Sequence, residues 1–348
     1  MATQAARGNL LGLNLEELEE FAAGLGQPHY RGRQIYHGIY VRRMRDFAGF
    51  TDLHRDFREA LAAQQAIVYP QVERRFSSRD GAIRYLFRLA DGKRVETVYM
   101  PEPDRTTLCL SSQVGCALDC TFCFTALLGA QRNLTAGEII GQVLAVVTAQ
   151  SVARGARLNL VFMGMGEPLL NLPQVSKAVA ILADPQGVGV TLRRITLSTV
   201  GIPPRIEELA RATVRPKLAI SLNASSDEQR DALMPINKKY PLADLLRTCR
   251  NYPLRPWEHL TFEYVMLEGY NDSDADARRV ADLLRDLRAK VNLIPYNSGP
   301  QLPFRAPTFE RVVAFQKILT DRRIPAFIRI SRGQDISAAC GQLSLATA

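Results

Sequence analysis

The sequence has no uninterrupted apolar run that approaches the ~18 residues of a membrane-spanning helix. Its first segment, residues 1–11, includes Arg7 and lacks the apolar stretch of a secretory signal. Histidine is scarce, with four residues in the chain. These absences exclude a membrane span, give no sign of secretion and predict a cytoplasmic protein.

Cysteine is also infrequent, but three of the six cysteines lie together. Cys116, Cys120 and Cys123 fall within the segment GCALDCTFC. A disulfide framework is not expected in a cytoplasmic chain, so clustered thiols are interpreted first as metal or redox groups. Three thiolates on a short loop can ligate three irons of a 4Fe-4S cubane and leave the fourth iron open.

Two other kinds of site use clustered cysteines. Structural zinc takes four protein ligands, and no histidine or further cysteine near this segment supplies the fourth at ordinary zinc spacing. Electron-transfer ferredoxins provide four cysteines for each cluster and have small folds. The missing ligand therefore favours a cluster whose open iron binds the amino and carboxylate groups of a small molecule and passes it an electron.

Basic residues outnumber acidic ones, 44 to 35, which gives a net charge of +9. The segment 31–45 holds five arginines and no acidic residue, interleaved with Tyr36 and Tyr40. Such a segment is typical of a nucleic-acid-binding patch, and equally of a solvated helix face. Composition alone leaves both interpretations open.

The pattern of apolar residues predicts an α/β fold in three parts. Residues 1–64 favour a small helical domain that begins with a capping-box pair at Asn14 and Glu17. Residues 65–104 favour a linker of three antiparallel strands separated by Asp-Gly turns. From 105 to 348, seven strand-like runs alternate with amphipathic stretches, which implies a parallel sheet. Six βα units and a final strand predict an incomplete (β/α)6 barrel.

Glycine and polar residues lie at the carboxyl ends of the barrel's strand-like runs. This is the face at which α/β barrels bind ligands, because its loops vary above a packed scaffold. The residues are Gly166, Glu167, Ser198, Ser221, Asn223 and Asn297. The cysteine segment follows the first run, so the cluster and these residues are expected on one face. Ser198 and Ser221 are also compatible with a simple strand-end role.

The C-x3-C-x2-C segment after the first barrel strand, with Phe122 before its third cysteine, resembles the radical S-adenosylmethionine (SAM) superfamily. The stretch VFMGMGEP at 161–168 resembles the glycine-rich turn that receives the methionine amino group of SAM. The resemblance implies a 4Fe-4S cluster on the three cysteines and SAM as the second cofactor.

Further segments resemble one family closely, the bacterial ribosomal RNA adenine-C2 methyltransferases called RlmN, of which the adenine-C8 enzyme Cfr is a near relative. The matching segments are VETVYMP, TLCLSSQVGCALDCTFC, GMGEPLLN, LSTVGI, MPIN, EYVML, NLIPYN and SRGQDISAACGQL. The family methylates adenine 2503 of 23S rRNA, and members have been assigned adenine 37 of some tRNAs. The resemblance implies these substrates, and it favours C2 over C8 only by overall similarity.

The resemblance also implies a mechanism that consumes two SAM molecules per turnover. The first methylates Cys340. The second is cleaved reductively at the cluster, its 5′-deoxyadenosyl radical abstracts hydrogen from that methyl group, and the methylene radical adds to the adenine ring. Cys109 then attacks the Cys340 sulfur and a disulfide forms, which a thiol reductant must reset. Glu96 is the implied general base for the ring proton; without the resemblance it would be interpreted as an exposed strand glutamate.

The family's cofactor contacts carry over to seven positions: Gly166, Glu167, Ser198, Ser221, Leu222, Asn223 and Asn297. Two positions depart from the common family pattern. Phe124 stands where many members have a small residue, and Asn223 where many have histidine. Cys249, on a predicted amphipathic helix, is interpreted as a buried small hydrophobe.

The expected partners follow from the same resemblance. The N-terminal helices resemble a helix-hairpin-helix module, which would bind RNA backbone while the target adenine is splayed out. A flavodoxin-type electron donor and a monomeric state are also expected. A non-catalytic iron–sulfur RNA-binding protein is the alternative, and it would not need Cys109 or Cys340.

Overall fold

The computed structural model describes residues 8–299 and 302–345. Residues 1–7, which include Arg7, and 346–348 belong to the predicted terminal parts but lie outside the described residues. In the described part, no helix is long and apolar enough to cross a membrane.

Three helices form the N-terminal part, as the sequence predicts. The elements are β1 (Gly8–Asn9), α1 (Leu15–Gly24), α2 (Tyr30–Tyr40), α3 (Arg55–Gln64) and β2 (Gln65–Ala66). The predicted capping box is present, because the Asn14 side chain accepts from the Glu17 N–H and the Glu17 carboxylate accepts from the Asn14 N–H. Strands β1 and β2 pair in parallel and join the two ends of this part.

Three antiparallel strands follow, at β3 (Gln71–Ser77), β4 (Ile83–Arg88) and β5 (Arg94–Glu102). The predicted turns contain Gly81 and Gly92, whose φ angles of 85° and 80° lie in the left-handed region that glycine enters without strain. Strand β5 pairs with the first barrel strand, with Val98 opposite Cys109. The three strands are therefore continuous with the barrel sheet.

The remaining elements alternate in the βα order that the sequence predicts. They are β6 (Arg105–Cys109), β7 (Gln113–Gly115), β8 (Ala130–Asn133), α4 (Ala136–Ala149), β9 (Leu158–Phe162), α5 (Leu172–Ala183), β10 (Ile195–Thr199), α6 (Pro203–Ala210), β11 (Lys217–Ser221), α7 (Asp227–Leu233), α8 (Leu242–Arg250), β12 (Leu260–Met266), α9 (Asp274–Leu284), β13 (Ala289–Pro295), α10 (Phe309–Asp321) and β14 (Ala326–Ile328).

One ten-stranded sheet has the order β14-β13-β12-β11-β10-β9-β6-β5-β4-β3. Its seven strands from β6 to β14 are parallel, which confirms the incomplete barrel. In β10, buried Ile195 and Leu197 alternate with half-buried Thr196 and Ser198. The less buried face of β10 is therefore polar.

The arginine-rich segment 31–45 is mostly packed against the rest of the protein. Tyr36 and Tyr40 are buried, and their hydroxyls donate to the Asp184 carboxylate and the Leu13 carbonyl. The arginine partners are Gln34 and Asp52 for Arg31, Glu19 for Arg33, Asp52 for Arg42, the Val147 and Val152 carbonyls for Arg43, and the Tyr69 ring for Arg45. The tyrosines therefore cannot stack on nucleic-acid bases as the patch interpretation requires.

Candidate active site

The loop that carries Cys116, Cys120 and Cys123, called the cluster loop below, starts where β7 ends, at the carboxyl end of the barrel. Its chain reverses at Asp119, which has a φ of 47°. The Thr121 N–H donates to the Leu233 carbonyl over 3.0 Å and fastens the loop to the end of α7. Backbone N–H groups of Ala117 and Leu118 point at the Cys116 sulfur, and those of Thr125 and Ala126 point at the Cys123 sulfur. These donors stabilise thiolate sulfur.

The electrostatics of the three thiols fit an iron–sulfur cluster. Burial raises the pKa of Cys116 to about 11, and burial together with the charges of the other two cysteines raises the pKa of Cys120 further. Burial also raises the pKa of Cys123. Three half-buried thiols whose charges repel one another need a cationic centre to become thiolates.

No three His, Cys, Asp or Glu side chains within residues 8–299 and 302–345 are grouped to hold one metal ion. The ligands of a cubane bind different irons and do not converge on a single point. Three separate thiols on one short loop match the cysteine ligands of such a cluster.

Gly166 and Glu167 follow β9 at the same end of the barrel. Gly166 has a φ of 98°, and a Cβ there would lie 2.5 Å from the Gln113 Cβ, so only glycine fits. The Glu167 carboxylate is buried and accepts from the N–H groups of Leu169 and Val200. Burial raises its pKa to about 7. Glu167 thus connects the turn after β9 to the end of β10.

The other predicted cofactor contacts end strands β10 and β11. Ser198 and Ser221 are half-buried, whereas Leu222 and Asn223 are buried. The Asn223 side chain accepts from the Val265 N–H and donates to the Met234 sulfur, and its φ of 56° suits asparagine. Asn223 therefore holds two neighbouring segments together with its side chain.

The loop that carries Cys340 is fastened to this same end of the barrel. The Asn297 amide donates to the Cys340 carbonyl over 3.0 Å and accepts from Gln334. The Phe124 N–H donates to the Gly341 carbonyl over 2.9 Å, and the Thr125 hydroxyl donates to the Leu343 carbonyl over 2.6 Å. Because Phe124 and Thr125 directly follow Cys123, the Cys340 loop lies on the cluster loop.

Cys109 and Cys340 are free thiols in different surroundings. Cys109 is buried at the end of β6, and burial followed by the charge of Cys340 raises its pKa. Cys340 is exposed, yet its surroundings raise its pKa to about 11, chiefly by desolvation and then by the charge of Glu263.

Glu96 lies on β5, and its side chain is 0% exposed, so it is not the exposed strand glutamate that the sequence alone favours. It accepts from Arg84 over 2.5 Å, and the two side chains are equally inaccessible. The N–H groups of Ser344 and Leu345 also point at this carboxylate. Burial raises the pKa of Glu96, and Arg84 opposes that shift. Glu96 thus connects β5 to the end of the Cys340 loop.

Comparison with known proteins decides the family. The model of the radical SAM superfamily matches residues 110–281, and that of the ribosomal RNA large subunit methyltransferase N-terminal domain matches residues 8–67. The probable dual-specificity RNA methyltransferase RlmN of Koribacter versatilis is 53% identical over 336 residues, 92% of this chain and 96% of the relative. The chain belongs to the RlmN family.

Two further comparisons agree with this assignment. The RlmN of Desulfotalea psychrophila is 47% identical over 99% of this chain and 97% of its own. The crystal structure of a radical SAM methyltransferase from Sphaerobacter thermophilus superimposes with a TM-score of 0.92 at 46% identity, covering 97% of this chain and 99% of that one. As a member of the radical SAM superfamily, the chain uses a 4Fe-4S cluster and SAM, and the RlmN family consumes two SAM molecules per turnover.

Phe124, one of the two departures from the common RlmN pattern, is buried. A Cβ on Gly299 would lie 2.3 Å from its ring, so the ring packs against the backbone that follows Asn297. The larger side chain fills space between the cluster loop and the end of β13. Cys249 is buried on α8, in agreement with its interpretation as a small hydrophobe.

Sequence reasoning missed four polar residues of this RlmN family member. Arg84 binds Glu96. Asn292 donates to Glu263 over 2.9 Å, and both side chains are buried. Arg230 is buried and donates to main-chain carbonyls at the ends of β10 and β11. Alternation along the EYVML segment could have placed Glu263 inside the barrel, whereas nothing in the local sequence marks Arg84 or Arg230.

Proposed function

We propose that the protein methylates C2 of adenine 2503 in 23S rRNA and of adenine 37 in tRNAs, by way of a methyl group carried on Cys340. The curated relatives that cover nearly the whole chain are named dual-specificity RNA methyltransferases. The observation that carries the proposal is the fastening of an exposed cysteine loop onto the cluster loop, through Phe124 and Thr125.

The cluster and SAM are held by residues at the carboxyl ends of the strands. Cys116, Cys120 and Cys123 are proposed to ligate the cluster, which supplies the electron for the reductive cleavage of SAM when it is bound. The proposed SAM contacts are Gly166, Glu167, Ser198, Ser221, Leu222, Asn223 and Asn297. The Glu167 and Asn223 side chains are already occupied by protein partners. Their part in binding is therefore to shape the pocket and to present backbone groups.

Cys340 and Cys109 divide the sulfur chemistry between them. Cys340 is exposed and accepts the methyl group, while the buried Cys109 supplies the second thiol. After the methylene radical has added to C2, the adduct loses the C2 proton to a base and one electron to a one-electron acceptor, for which the oxidised cluster would serve. The Cys109 thiolate then attacks the Cys340 sulfur and a disulfide forms. The sulfur–carbon bond breaks, and the departing carbon takes its electron pair and a proton. A two-electron thiol reductant restores both thiols.

Glu96 is proposed to accept the ring proton from C2. Its raised pKa makes it a stronger base than an exposed glutamate, and Arg84 keeps a positive charge beside the carboxylate as it exchanges the proton. The Ser344 and Leu345 N–H groups place Glu96 next to the loop that carries Cys340.

The N-terminal part is proposed to bind the RNA backbone. Because Tyr36 and Tyr40 are buried, binding depends on exposed cations such as Arg33, whose side chain is 66% exposed. The chain is proposed to have three parts: a helical domain at 1–64, a strand linker at 65–104 and the barrel at 105–348. The protein is further proposed to be a cytoplasmic monomer that receives electrons from a flavodoxin-type donor.

The experiment uses protein with a reconstituted cluster, SAM, a one-electron reductant and an RNA fragment that contains adenine 2503. Nuclease digests are compared with 2-methyladenosine and 8-methyladenosine standards by chromatography and mass spectrometry. The proposal requires 2-methyladenosine. The 8-methyl product would reassign the reaction, and an unmethylated RNA that still binds the protein would favour the non-catalytic alternative.

A further inference from the structure

Arg230 is a fully buried cation at the carboxyl end of the barrel. Its guanidinium donates to the Val200 carbonyl over 2.5 Å, to the Ser221 carbonyl over 3.1 Å and to the Leu222 carbonyl over 3.1 Å. These carbonyls lie just beyond β10 and at the end of β11, where the SAM contacts are proposed. One side chain therefore fixes the spacing of two strand ends.

The fourth acceptor of Arg230 is the Asn237 side-chain oxygen, at 2.8 Å. The Asn237 amide in turn donates to the carboxylates of Asp227 and Asp231 over 2.9 and 2.7 Å. Asn237 thereby separates the guanidinium from the two nearest acids. Every hydrogen-bond acceptor that the described residues offer to Arg230 is a neutral oxygen.

A buried cation with neutral acceptors is costly unless an anion lies nearby. Desolvation lowers the pKa of Arg230 to about 10. The negative charges of Cys120, Asp227 and Asp231 oppose this shift, and Cys120 has the strongest effect of the three. Arg230 lies on α7, and the Thr121 N–H, next to Cys120, binds the carbonyl of Leu233 at the end of this helix. The cation and the cluster loop are thus held together by the same helix.

A 4Fe-4S cluster ligated by three thiolates is the anion that this arrangement fits. One-electron reduction of the cluster adds a negative charge next to Cys120, and a fixed positive charge in a medium of low dielectric constant favours that change. We propose that Arg230 is a positioning residue of the radical centre, whose charge raises the reduction potential of the cluster and whose hydrogen bonds space the strand ends that bind SAM.

The test measures the midpoint potential of the reconstituted cluster by spectroelectrochemical titration, with dithionite as the one-electron reductant. Iron and sulfide content are measured on the same samples. R230Q is expected to lower the potential by at least about 59 mV, which is tenfold in the reduction equilibrium of a one-electron couple. R230K keeps the charge and is expected to stay closer to the wild-type potential.

The affinity for SAM tests the hydrogen bonds of Arg230 to the strand ends separately from the effect of its charge on the cluster. Neither lysine nor glutamine can make both guanidinium hydrogen bonds to the Ser221 and Leu222 carbonyls. Both R230K and R230Q are therefore expected to bind SAM at least fivefold more weakly, as measured by equilibrium dialysis. R215Q is the matched control. Arg215 is also a buried arginine bonded to main-chain carbonyls, those of Ala210 and Pro253, but it precedes β11 and lies at the opposite end of the sheet.

The proposal is overturned if R230Q has the wild-type potential, or if R215Q lowers the potential as much as R230Q does. It is also overturned if the midpoint potential of R230K, which keeps the positive charge, falls as far as that of R230Q. Should R230Q fail to hold iron, R230M replaces it as the uncharged variant. A potential of R230M at least about 59 mV below that of R230K supports the proposal, and equal potentials of the two variants contradict it. None of these readouts depends on RNA methylation, so failure of the proposed RNA substrates would leave this inference standing.

Discussion

The side-chain amide of Asn297 donates a hydrogen bond of 3.0 Å to the main-chain carbonyl of Cys340. This contact ties the end of β13 to the loop whose thiol is proposed to carry the methyl group. Asn297 is buried and also accepts from Gln334, so both ends of its amide serve this loop. A residue expected from sequence to touch SAM thus also holds the Cys340 loop in place.

Replacing Asn297 with alanine is expected to lower the rate of RNA methylation by about fivefold, because one neutral hydrogen bond contributes about 1 kcal/mol. Single-turnover kinetics with saturating SAM measures this loss. Q316A removes an amide-to-carbonyl bond of 2.8 Å on α10, to the Ala326 carbonyl, and serves as the control. Equal rates for the two variants would contradict a role of Asn297 in holding the loop.

Glu96 predicts a pH dependence of the reaction. Because burial raises its pKa above the usual 4.5, the carboxylate form is populated only at higher pH. The methylation rate of the wild type should therefore rise with pH above 4.5 as Glu96 loses its proton, which gives an acid limb in the pH–rate profile. E96Q should be at least about 100-fold slower and should lack this limb. R84M, which removes the opposing cation, should move the limb to higher pH. An E96Q profile that keeps the wild-type limb would exclude Glu96 as the base.

The same carboxyl group predicts how stability varies with pH. A folded-state pKa above the unfolded value means that the native protein retains this proton to higher pH than the unfolded chain does. The stabilising contribution is complete below about 4.5 and is lost as pH rises through the folded-state pKa. Chemical denaturation of wild type and E96Q across this range checks the sign. E96Q should show the smaller loss of unfolding free energy as pH rises.

Gly166 is expected to tolerate no side chain. G166A would place a Cβ 2.5 Å from Gln113 at a φ of 98°, so the turn after β9 should shift and SAM affinity should fall at least about tenfold. G189A is the matched control, since Gly189 has a φ of 80° but no heavy atom within 4 Å of the added Cβ. Both variants carry backbone strain of about 1–2 kcal/mol. Only G166A should weaken SAM binding, measured by equilibrium dialysis.

Alanine at Cys116, Cys120 or Cys123 should abolish the iron content and visible absorbance of the reconstituted protein. C249A should retain both, because Cys249 is buried on α8 and does not belong to the cluster loop. Iron assay and absorbance spectroscopy check these outcomes. A single-cysteine variant of the loop that keeps a full complement of iron would contradict the ligand assignment.

Local patterns were enough to predict most of the fold. The capping box at Asn14 and Glu17 starts α1, and the seven alternating runs form the parallel strands. These features depend on residues close in the chain, whose spacing the sequence displays directly. Whether the segment 31–45 was a solvated face or a patch could not be decided in that way, because it depends on partners such as Asp184 and Val152 more than 100 positions away.

The residues of the candidate site also differ in whether the local sequence reveals them. The cluster cysteines and Gly166 lie in short segments with recognisable spacing. The pairing of Arg84 with Glu96 needs the register of two strands, and the contacts of Arg230 join three separate strand ends and loops. Such contacts arise from tertiary packing, so neither arginine carries a local sign of its role.

The most direct test of the account is mass spectrometry of the peptide that contains Cys340, after incubation of the reconstituted protein with methyl-labelled SAM. The account predicts one labelled methyl group on Cys340 in the wild type, transfer of its carbon to RNA adenine on adding substrate and reductant, and no RNA methylation by C340A. An unmodified Cys340, together with a C340A variant that still methylates RNA, would contradict it.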